Sequence, residues 1–160
     1  IKSSDGQWWM MDSDGRVVEQ ANNAKAATAT QVLGVTLEAP TVNEKGVATE
    51  MTPSETNELG ELIPVSTTGA QRLTAALQIL KALENNDIVG EAASVDVTST
   101  EDIILWYGTR YQVNLGDTSR LDYKVDCMND AILQMSDYQS GVLDISFTIW
   151  PNQVGYTPFA

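Results

Sequence analysis

The sequence predicts an α+β domain, in which a mixed, mostly antiparallel sheet carries two helices packed on one face. Three observations predict this class: short alternating apolar runs typical of strands, two amphipathic segments typical of helices, and their interleaving along the chain. Because a lone amphipathic helix is marginal in water, we expect both helices to cover the sheet.

The C-terminal third of the chain has the clearest pattern of strands. Residues 103–107 form an apolar run, residues 108–110 contain the glycine of a short turn, and residues 111–115 alternate between apolar and polar side chains. Residues 142–147 alternate again after the second helical segment. This order predicts a hairpin, then a helix, then a further strand.

Two helices are predicted from apolar residues spaced three and four apart. The first spans residues 69–83, begins at Thr67 or Thr68, and ends near residues 85–86. The second spans residues 119–135 and begins at Thr118 or Ser119. The apolar faces consist of Leu73, Ala76, Leu77, Leu80 and Leu83 in the first helix and Leu121, Val125, Met128, Ile132 and Met135 in the second.

The N-terminal half gives weaker signals. Residues 7–11 and 16–19 read as strands joined by a turn at residues 12–15. Residues 21–30 form a linker or a weak helix, and a single strand over residues 32–37 ends before Pro40.

Two further segments lie between that strand and the hairpin of the C-terminal third. Residues 41–61 are polar and charged, which predicts a long acidic surface loop. A strand is expected over residues 93–98.

Charge and composition restrict the classes of function. The 160 residues carry a net charge of −13, which repels nucleic-acid phosphates and anionic membranes. Histidine is absent, which removes the commonest general base and metal ligand. The single cysteine, Cys127, has no partner for an internal disulfide, and its spacing among apolar residues predicts a small buried side chain.

Carboxylates are the remaining candidates for chemistry. Asp96, Glu101, Asp102 and Asp144 could supply the two acids of a glycoside hydrolase, but no motif selects a pair. Asp96 and Asp144 instead occupy equivalent places in two similar strand patterns, which favours a sheet with one solvated face. The turn with Asp12 and Asp14 hints at a calcium loop without supplying its further ligands. We therefore predict no catalytic residue, no cofactor and no metal site.

The chain resembles the C-terminal β domain of the FtsQ/DivIB family of bacterial cell-division proteins. The resemblance lies in a strand and glycine turn, an apolar strand ending in Leu-Gly, a helix with an early lysine, and a final Gly-x-apolar-Asp-apolar strand. These motifs are residues 103–108, 112–116, 120–124 and 141–146. Weaker similarity extends to residues 11–17 and 73–97, so that about two thirds of the chain is covered.

The resemblance implies a non-enzymatic scaffold of the division septum. Residues 1–20 would be the end of a POTRA-like module or the first hairpin of the β domain, and residues 21–160 the β domain itself. The family implies a single-pass membrane protein with this part on the extracytoplasmic side, its anchor lying upstream. The implied partners are FtsB/DivIC-like and FtsL-like division proteins, with no nucleic acid, and the domain is expected to be monomeric in isolation.

In the family a partner adds a strand to the last strand of the β domain, which corresponds here to residues 153–159. The residues expected to contact the partner are Trp150, Gln153, Val154, Gly155 and Tyr156. The alternative is an extracellular module that binds cell-wall glycan or another ligand, with tryptophans as stacking platforms. Exposure of Trp106 and Trp150 distinguishes the two hypotheses.

Overall fold

A computed structural model of the chain describes residues 1–49, 55–56, 59–60, 62–63, 68–149 and 151–159. The fold is α+β, with helices packed on mixed, mostly antiparallel sheets, which confirms the predicted class. Within these ranges the helices are α1 (Asn23–Ala27), α2 (Gly69–Asn85) and α3 (Leu121–Gln134), and a 3-10 turn spans Val89–Glu91. The strands are β1 (Lys2–Ser3), β2 (Trp8–Met11), β3 (Val17–Ala21), β4 (Gln31–Leu33), β5 (Thr36–Leu37), β6 (Glu55–Thr56), β7 (Leu62–Ile63), β8 (Ala92–Asp96), β9 (Ile103–Tyr107), β10 (Tyr111–Gly116), β11 (Gly141–Asp144) and β12 (Gly155–Pro158).

The main sheet has six strands in the order β12-β11-β10-β9-β8-β4. Neighbours are antiparallel except for the β10–β11 and β8–β4 pairs, which are parallel. A parallel neighbour requires a crossover, and α3 supplies the one between β10 and β11. The hairpin, helix and strand predicted for the C-terminal third are therefore present in that order.

One face of the main sheet forms the core together with α2 and α3. Alternate residues of the central strands, such as Val95, Leu105, Val113 and Leu143, are buried in one cluster with residues of both helices. The residues between them along each strand are half-exposed. The sheet is thus solvated on one face and covered on the other, as the alternation predicts.

A second sheet of four strands, in the order β3-β2-β1-β5, was not predicted. It contains the predicted hairpin, whose turn is closed by Gly15 at a φ of 83°. Strands β6 and β7 pair with each other. In the predicted acidic loop, Lys45 and Ala48 form isolated bridges to Arg16 and Leu37, so its first part is tied to the four-stranded sheet.

The strand predicted over residues 32–37 is wrong, because the segment divides into β4 and β5 in different sheets. Gly34 lies between them at a φ of 88°. A Cβ built there would lie 2.5 Å from the backbone nitrogen of Thr98, so only glycine fits the bend.

The predicted start of the second helix is also wrong. Its N-cap is Arg120, which has a φ of 54° and makes no capping hydrogen bond with its side chain. The Ser119 amide and hydroxyl instead donate to the Asp117 carboxylate. In contrast, the start of α2 is confirmed at Thr68, one of the two predicted N-caps, which forms a capping box with Gln71. Cys127 is half-buried rather than buried.

Candidate functional site

The candidate site is the outer edge of the main sheet, formed by β12. Its only neighbour in the described part of the sheet is β11, and the two strands are antiparallel with Val142 opposite Thr157 and Leu143 opposite Tyr156. The segment predicted over residues 153–159 therefore forms a strand at the sheet edge, although its paired part is limited to Gly155–Pro158.

Backbone geometry divides the polar groups of β12 into an inner and an outer row. The amide of Phe159 donates to the carbonyl oxygen of Ser140 at 3.2 Å, so the backbone groups of Phe159 face β11. The backbone N–H and C=O groups of successive residues point to opposite sides of a strand. Those of Thr157 therefore also point to β11, and those of Tyr156 and Pro158 point outward. The outer row thus offers the amide and carbonyl of Tyr156 and the carbonyl of Pro158.

Pro158 marks this strand as an edge. Proline has no amide hydrogen, so it is tolerated in a sheet only where no ladder bond is lost. Its outward position satisfies that condition, because β11 needs no hydrogen bond from it. Prolines also blunt sheet edges against unspecific pairing. The edge therefore offers both an amide and a carbonyl at Tyr156 but only a carbonyl at Pro158. Pro158 is not among the residues that the sequence predicts to contact a partner.

The Tyr156 side chain lies on the helix-covered side of the sheet and is 36% exposed. Its hydroxyl donates to the carbonyl of Ser140 at 3.0 Å. A Cβ on Gly141 would lie 2.8 Å from the Tyr156 ring and 2.3 Å from the carbonyl oxygen of Thr157. Gly141 therefore makes room for both the ring and the strand, and Tyr156 presents its outer edge to an incoming chain.

The connection that leads into β12 is held by Arg120. Its guanidinium lies over the rings of Tyr123, at 4.6 Å, and Phe147, at 5.3 Å, and donates to the side-chain oxygen of Asn152 at 2.7 Å. This contact links the N-terminus of α3 to the turn before β12. Sequence patterns did not single out Arg120, because neither its left-handed backbone nor these long-range contacts leave a local signal.

The other expected contact residues differ in their surroundings. Gln153 is exposed, and Val154 is half-buried against the core. Gly155 pairs with Asp144 of β11. Trp150 lies outside the described residues.

Two of the candidate carboxylates, Asp96 and Asp144, stand too far apart to act as a glycosidase pair. Asp96 and Asp144 share the uncovered face but are separated by three strand spacings, about 14 Å. Paired glycosidase acids stand about 5–9.5 Å apart. Glu101 and Asp102 are exposed in the connection before β9.

The carboxylates of the Asp12 turn are engaged by protein groups. The Asp12 carboxylate accepts the amides of Asp14 and Arg16 at 3.0 and 2.9 Å, and Asp14 pairs with Lys81 at 3.2 Å. Among the described residues, no three acidic, histidine or cysteine side chains are grouped as metal ligands.

The described tryptophans are each engaged within the fold. Trp106 stacks on Phe159 with ring centroids 6.2 Å apart, Lys2 lies 5.0 Å above Trp8, and the Trp9 indole donates to Ser3 at 3.2 Å. Trp106 is half-exposed. None of them forms a free platform of the kind that a glycan stacks on.

A cleft of about 340 Å³ lies between β2 and α2. Its walls are mainly apolar, and part of them also packs on the core. The wall residues include Trp8, Trp9, Met10, Met11, Leu77 and Leu80. The size is that of a small-ligand pocket, and its walls also include the polar residues Asp12, Ser13, Thr30, Gln31 and Glu84.

Comparisons of the chain with family models, with curated proteins and with solved structures gave no match. In the described part of the chain, none of the helices combines the length and the apolar character needed to cross a bilayer.

Proposed function

We propose that this chain is a protein-binding domain that receives a strand from a partner at the β12 edge. The observation that carries the proposal is the outer backbone row of Tyr156, which has no strand opposite it in the described sheet. A sheet edge of this kind is a template for another chain, which gains main-chain hydrogen bonds by pairing with it. No catalytic step is part of the proposal.

The resemblance to the FtsQ/DivIB family supports a specific setting for this binding. In that setting the domain is a non-enzymatic scaffold at the division septum, located on the extracytoplasmic side of the membrane. Its partners are FtsB/DivIC-like and FtsL-like proteins. The net charge of −13 favours a partner segment rich in lysine or arginine, since opposite charges accelerate association and exclude unsuitable partners.

The edge geometry limits the main-chain hydrogen bonds that an added strand can form. Tyr156 can exchange two main-chain hydrogen bonds with a residue opposite it, whereas Pro158 can only accept one. Each such bond contributes about 0.5–1.5 kcal/mol net, so the main chain supplies a few kcal/mol. Micromolar binding requires about 8 kcal/mol, so side chains such as Tyr156 must supply the rest.

Amide hydrogen exchange tests the proposal directly. The extracytoplasmic segment of the FtsB/DivIC-like partner from the same organism is titrated into the isotope-labelled chain. We expect exchange of the outward Tyr156 amide to slow on binding, by about ten-fold or more, as an unpaired amide enters a ladder. The inward Thr157 amide, paired with β11 in the free chain, is the internal control and changes far less.

Matched substitutions complete the test. Tyr156→Ala is expected to weaken binding by about 1–2 kcal/mol, since aromatic anchors dominate such interfaces. Tyr138→Ala removes an equally large ring that is 88% exposed elsewhere and is expected to have no effect. Val154 precedes β12, and by the same alternation its amide faces outward, so Val154→Pro should also weaken binding. Unchanged Tyr156 exchange at saturating partner, or equal effects of the two tyrosine substitutions, would refute strand addition here.

A glycan-binding module is the alternative, and the engaged tryptophans give it less support. Binding of soluble peptidoglycan fragments that is lost in Trp106→Ala and unaffected by Tyr156→Ala would favour this alternative over strand addition.

A further inference from the structure

The main sheet has a second surface that the edge proposal does not use. We call it the open face, and it consists of alternate residues of five strands on the side away from α2 and α3. Its apolar members lie outside the cluster that forms the core. The open face comprises Leu33, Ser94, Asp96, Ile104, Trp106, Gln112, Asn114, Val142 and Asp144.

Strand register places these residues in two rows across the sheet. One row runs from Ser94 through Trp106 and Gln112 to Val142. The other runs from Leu33 through Asp96, Ile104 and Asn114 to Asp144. Neighbours within a row are one strand spacing apart, about 4.8 Å.

The second row is rich in hydrogen-bond acceptors and has no cation. The side-chain oxygen of Asn114 is buried and has no hydrogen-bond partner among the described residues, which is an unfavourable state for a polar atom. The carboxylates of Asp96 and Asp144 each use one oxygen to accept a nearby amide, from Thr98 and Ser146. A complementary surface must therefore bring donors and positive charge.

The centre of the open face combines apolar Ile104 and Trp106 with polar Gln112 and Asn114, and the distance between its flanking carboxylates fits the width of a helix. Asp96 and Asp144 lie about 14 Å apart across the strands, with Ile104 between them. An α-helix with its side chains is about 10–12 Å wide. A helix lying along β9 and β10 would contact Ile104 and the part of Trp106 that its stacking on Phe159 leaves exposed, and would place flanking side chains over the two carboxylates.

We propose that the open face binds a cationic amphipathic helix of a partner protein, with apolar residues on Ile104, Trp106 and Val142 and lysine or arginine side chains at Asp96 and Asp144. Charge complementarity selects this occupant, because the face has two carboxylates, an unsatisfied acceptor and no basic residue. A partner helix would pack on the open face in the way that α2 and α3 pack on the other face of the sheet. This binding is independent of strand addition, because neither row requires a partner at β12.

The probe is an 18-residue peptide in which leucines occupy one helical face and lysines flank it. Its companion carries glutamate in place of every lysine. Binding to the whole 160-residue chain is followed by the amide chemical shifts of β9 and β10 and by calorimetry. We expect the lysine peptide to bind and to shift amides of the open-face strands, and the glutamate peptide not to bind.

Charge-removing variants separate a specific site from general attraction to an acidic protein. Asp96→Asn and Asp144→Asn keep the oxygen that accepts the neighbouring amide, so the turns they support are retained. Each is expected to weaken binding about two- to five-fold, the range of partly exposed ion pairs, and the double variant about ten-fold. The control pair Asp126→Asn and Asp130→Asn removes the same charge from the exposed side of α3 and should change binding less than two-fold, by about the loss of general attraction.

An apolar variant tests the centre of the face. Ile104→Thr keeps β-branching in the strand and is expected to weaken binding several-fold, since it removes an apolar contact. Val18→Thr is its control on β3 of the other sheet, where Val18 is 49% exposed. Circular dichroism confirms that each variant is folded.

Several outcomes would overturn the proposal. The first is that the lysine peptide does not bind. The second is that the open-face double variant and the α3 control pair weaken peptide binding equally. The third is that the changes in amide chemical shift are confined to the helix-covered side. A second copy of the chain as occupant would appear as a dimer in sedimentation that Ile104→Thr dissociates, and this also overturns it. Because the edge is tested through Tyr156 exchange and these variants spare Tyr156, either proposal can fail alone.

Discussion

Substituting Lys124 by methionine removes one ammonium group from the junction between α3 and β10. Lys124 is 1% exposed. Its Nζ donates to the carbonyl oxygens of Leu115, at 2.8 Å, and Asp117, at 3.0 Å, and to the Asp117 carboxylate at 3.1 Å. Methionine keeps most of the apolar stem, so the substitution isolates the polar contribution.

The expected loss of stability is about 2–3 kcal/mol. Hydrogen bonds from a charged donor contribute about 1.5–3 kcal/mol each, and the buried Leu115 carbonyl would lose its donor from Lys124. Two effects make the net loss smaller than the sum of the three hydrogen-bond contributions. The Asp117 side chain is 58% exposed, so water replaces part of that contact, and burying an ammonium costs several kcal/mol that methionine recovers.

Urea unfolding followed by tryptophan fluorescence measures the loss, and Lys81→Met is the matched control. Lys81 makes an ion pair of nearly the same length, 3.2 Å to Asp14, but the two side chains are 56% and 69% exposed. Exposed pairs contribute about 0–1 kcal/mol, so this control should hardly change the free energy of unfolding. For a chain of 160 residues, the Lys124 loss corresponds to a fall in Tm of about 5–10 °C.

Equal losses for the two lysine substitutions would refute this reasoning, because Lys124 is buried and donates three hydrogen bonds, whereas Lys81 is exposed and has one ion pair. A loss below about 0.5 kcal/mol for Lys124→Met would refute it as well. It would mean that the cost of burying the ammonium cancels its three hydrogen bonds.

Two further predictions concern local geometry and acid stability. Gly34→Ala is expected to lower the free energy of unfolding in urea by about 2–4 kcal/mol, because Gly34 has a positive φ and a Cβ there would meet the Thr98 backbone. Gly90→Ala is the control: a Cβ at Gly90 meets open space, so this substitution should be neutral or slightly stabilising. The Ser119 hydroxyl, with the Ser119 amide and the lysine of α3, holds the pKa of the Asp117 carboxyl below its ordinary value of 3.8. The stability that this carboxylate contributes is present above the unfolded pKa and is lost as pH falls through the lower folded pKa. Ser119→Ala should therefore raise the Asp117 pKa in an NMR titration and leave less stability to lose in acid.

The parts of the fold that the sequence predicted well have strong periodicity. The apolar spacing of α2 and α3, the apolar run of β9 and the alternation of β10 each extend over several residues, so one exceptional residue does not hide them. The apolar face predicted for α2 is nevertheless centred slightly away from the buried face, because Ile79 is fully buried and Leu77 and Leu80 are only half-buried. The angle at which α2 crosses the sheet decides which of its apolar residues are buried, and no local sequence pattern contains that angle.

The errors occur where one backbone angle changes the path of the chain. At Gly34 a left-handed residue sends a continuous apolar run into two sheets, and at Arg120 another begins α3 without a side-chain cap. Glycine at a turn is a weak signal, and a left-handed arginine gives none. No sequence pattern predicts the four-stranded sheet, because its short strands β1 and β5 pair across a long separation in sequence.

The position of the candidate edge follows from the crossover that precedes it. Because α3 returns the chain to the same end of the sheet, β11 lies parallel to β10 and has one free side. The connection after β11 reverses the direction of the chain, so β12 becomes the antiparallel outer strand. Lys124 fixes α3 to the end of β10, the first strand of this crossover. A substitution that loosens that junction should therefore alter the register of β11 and, through it, the edge that a partner strand would meet.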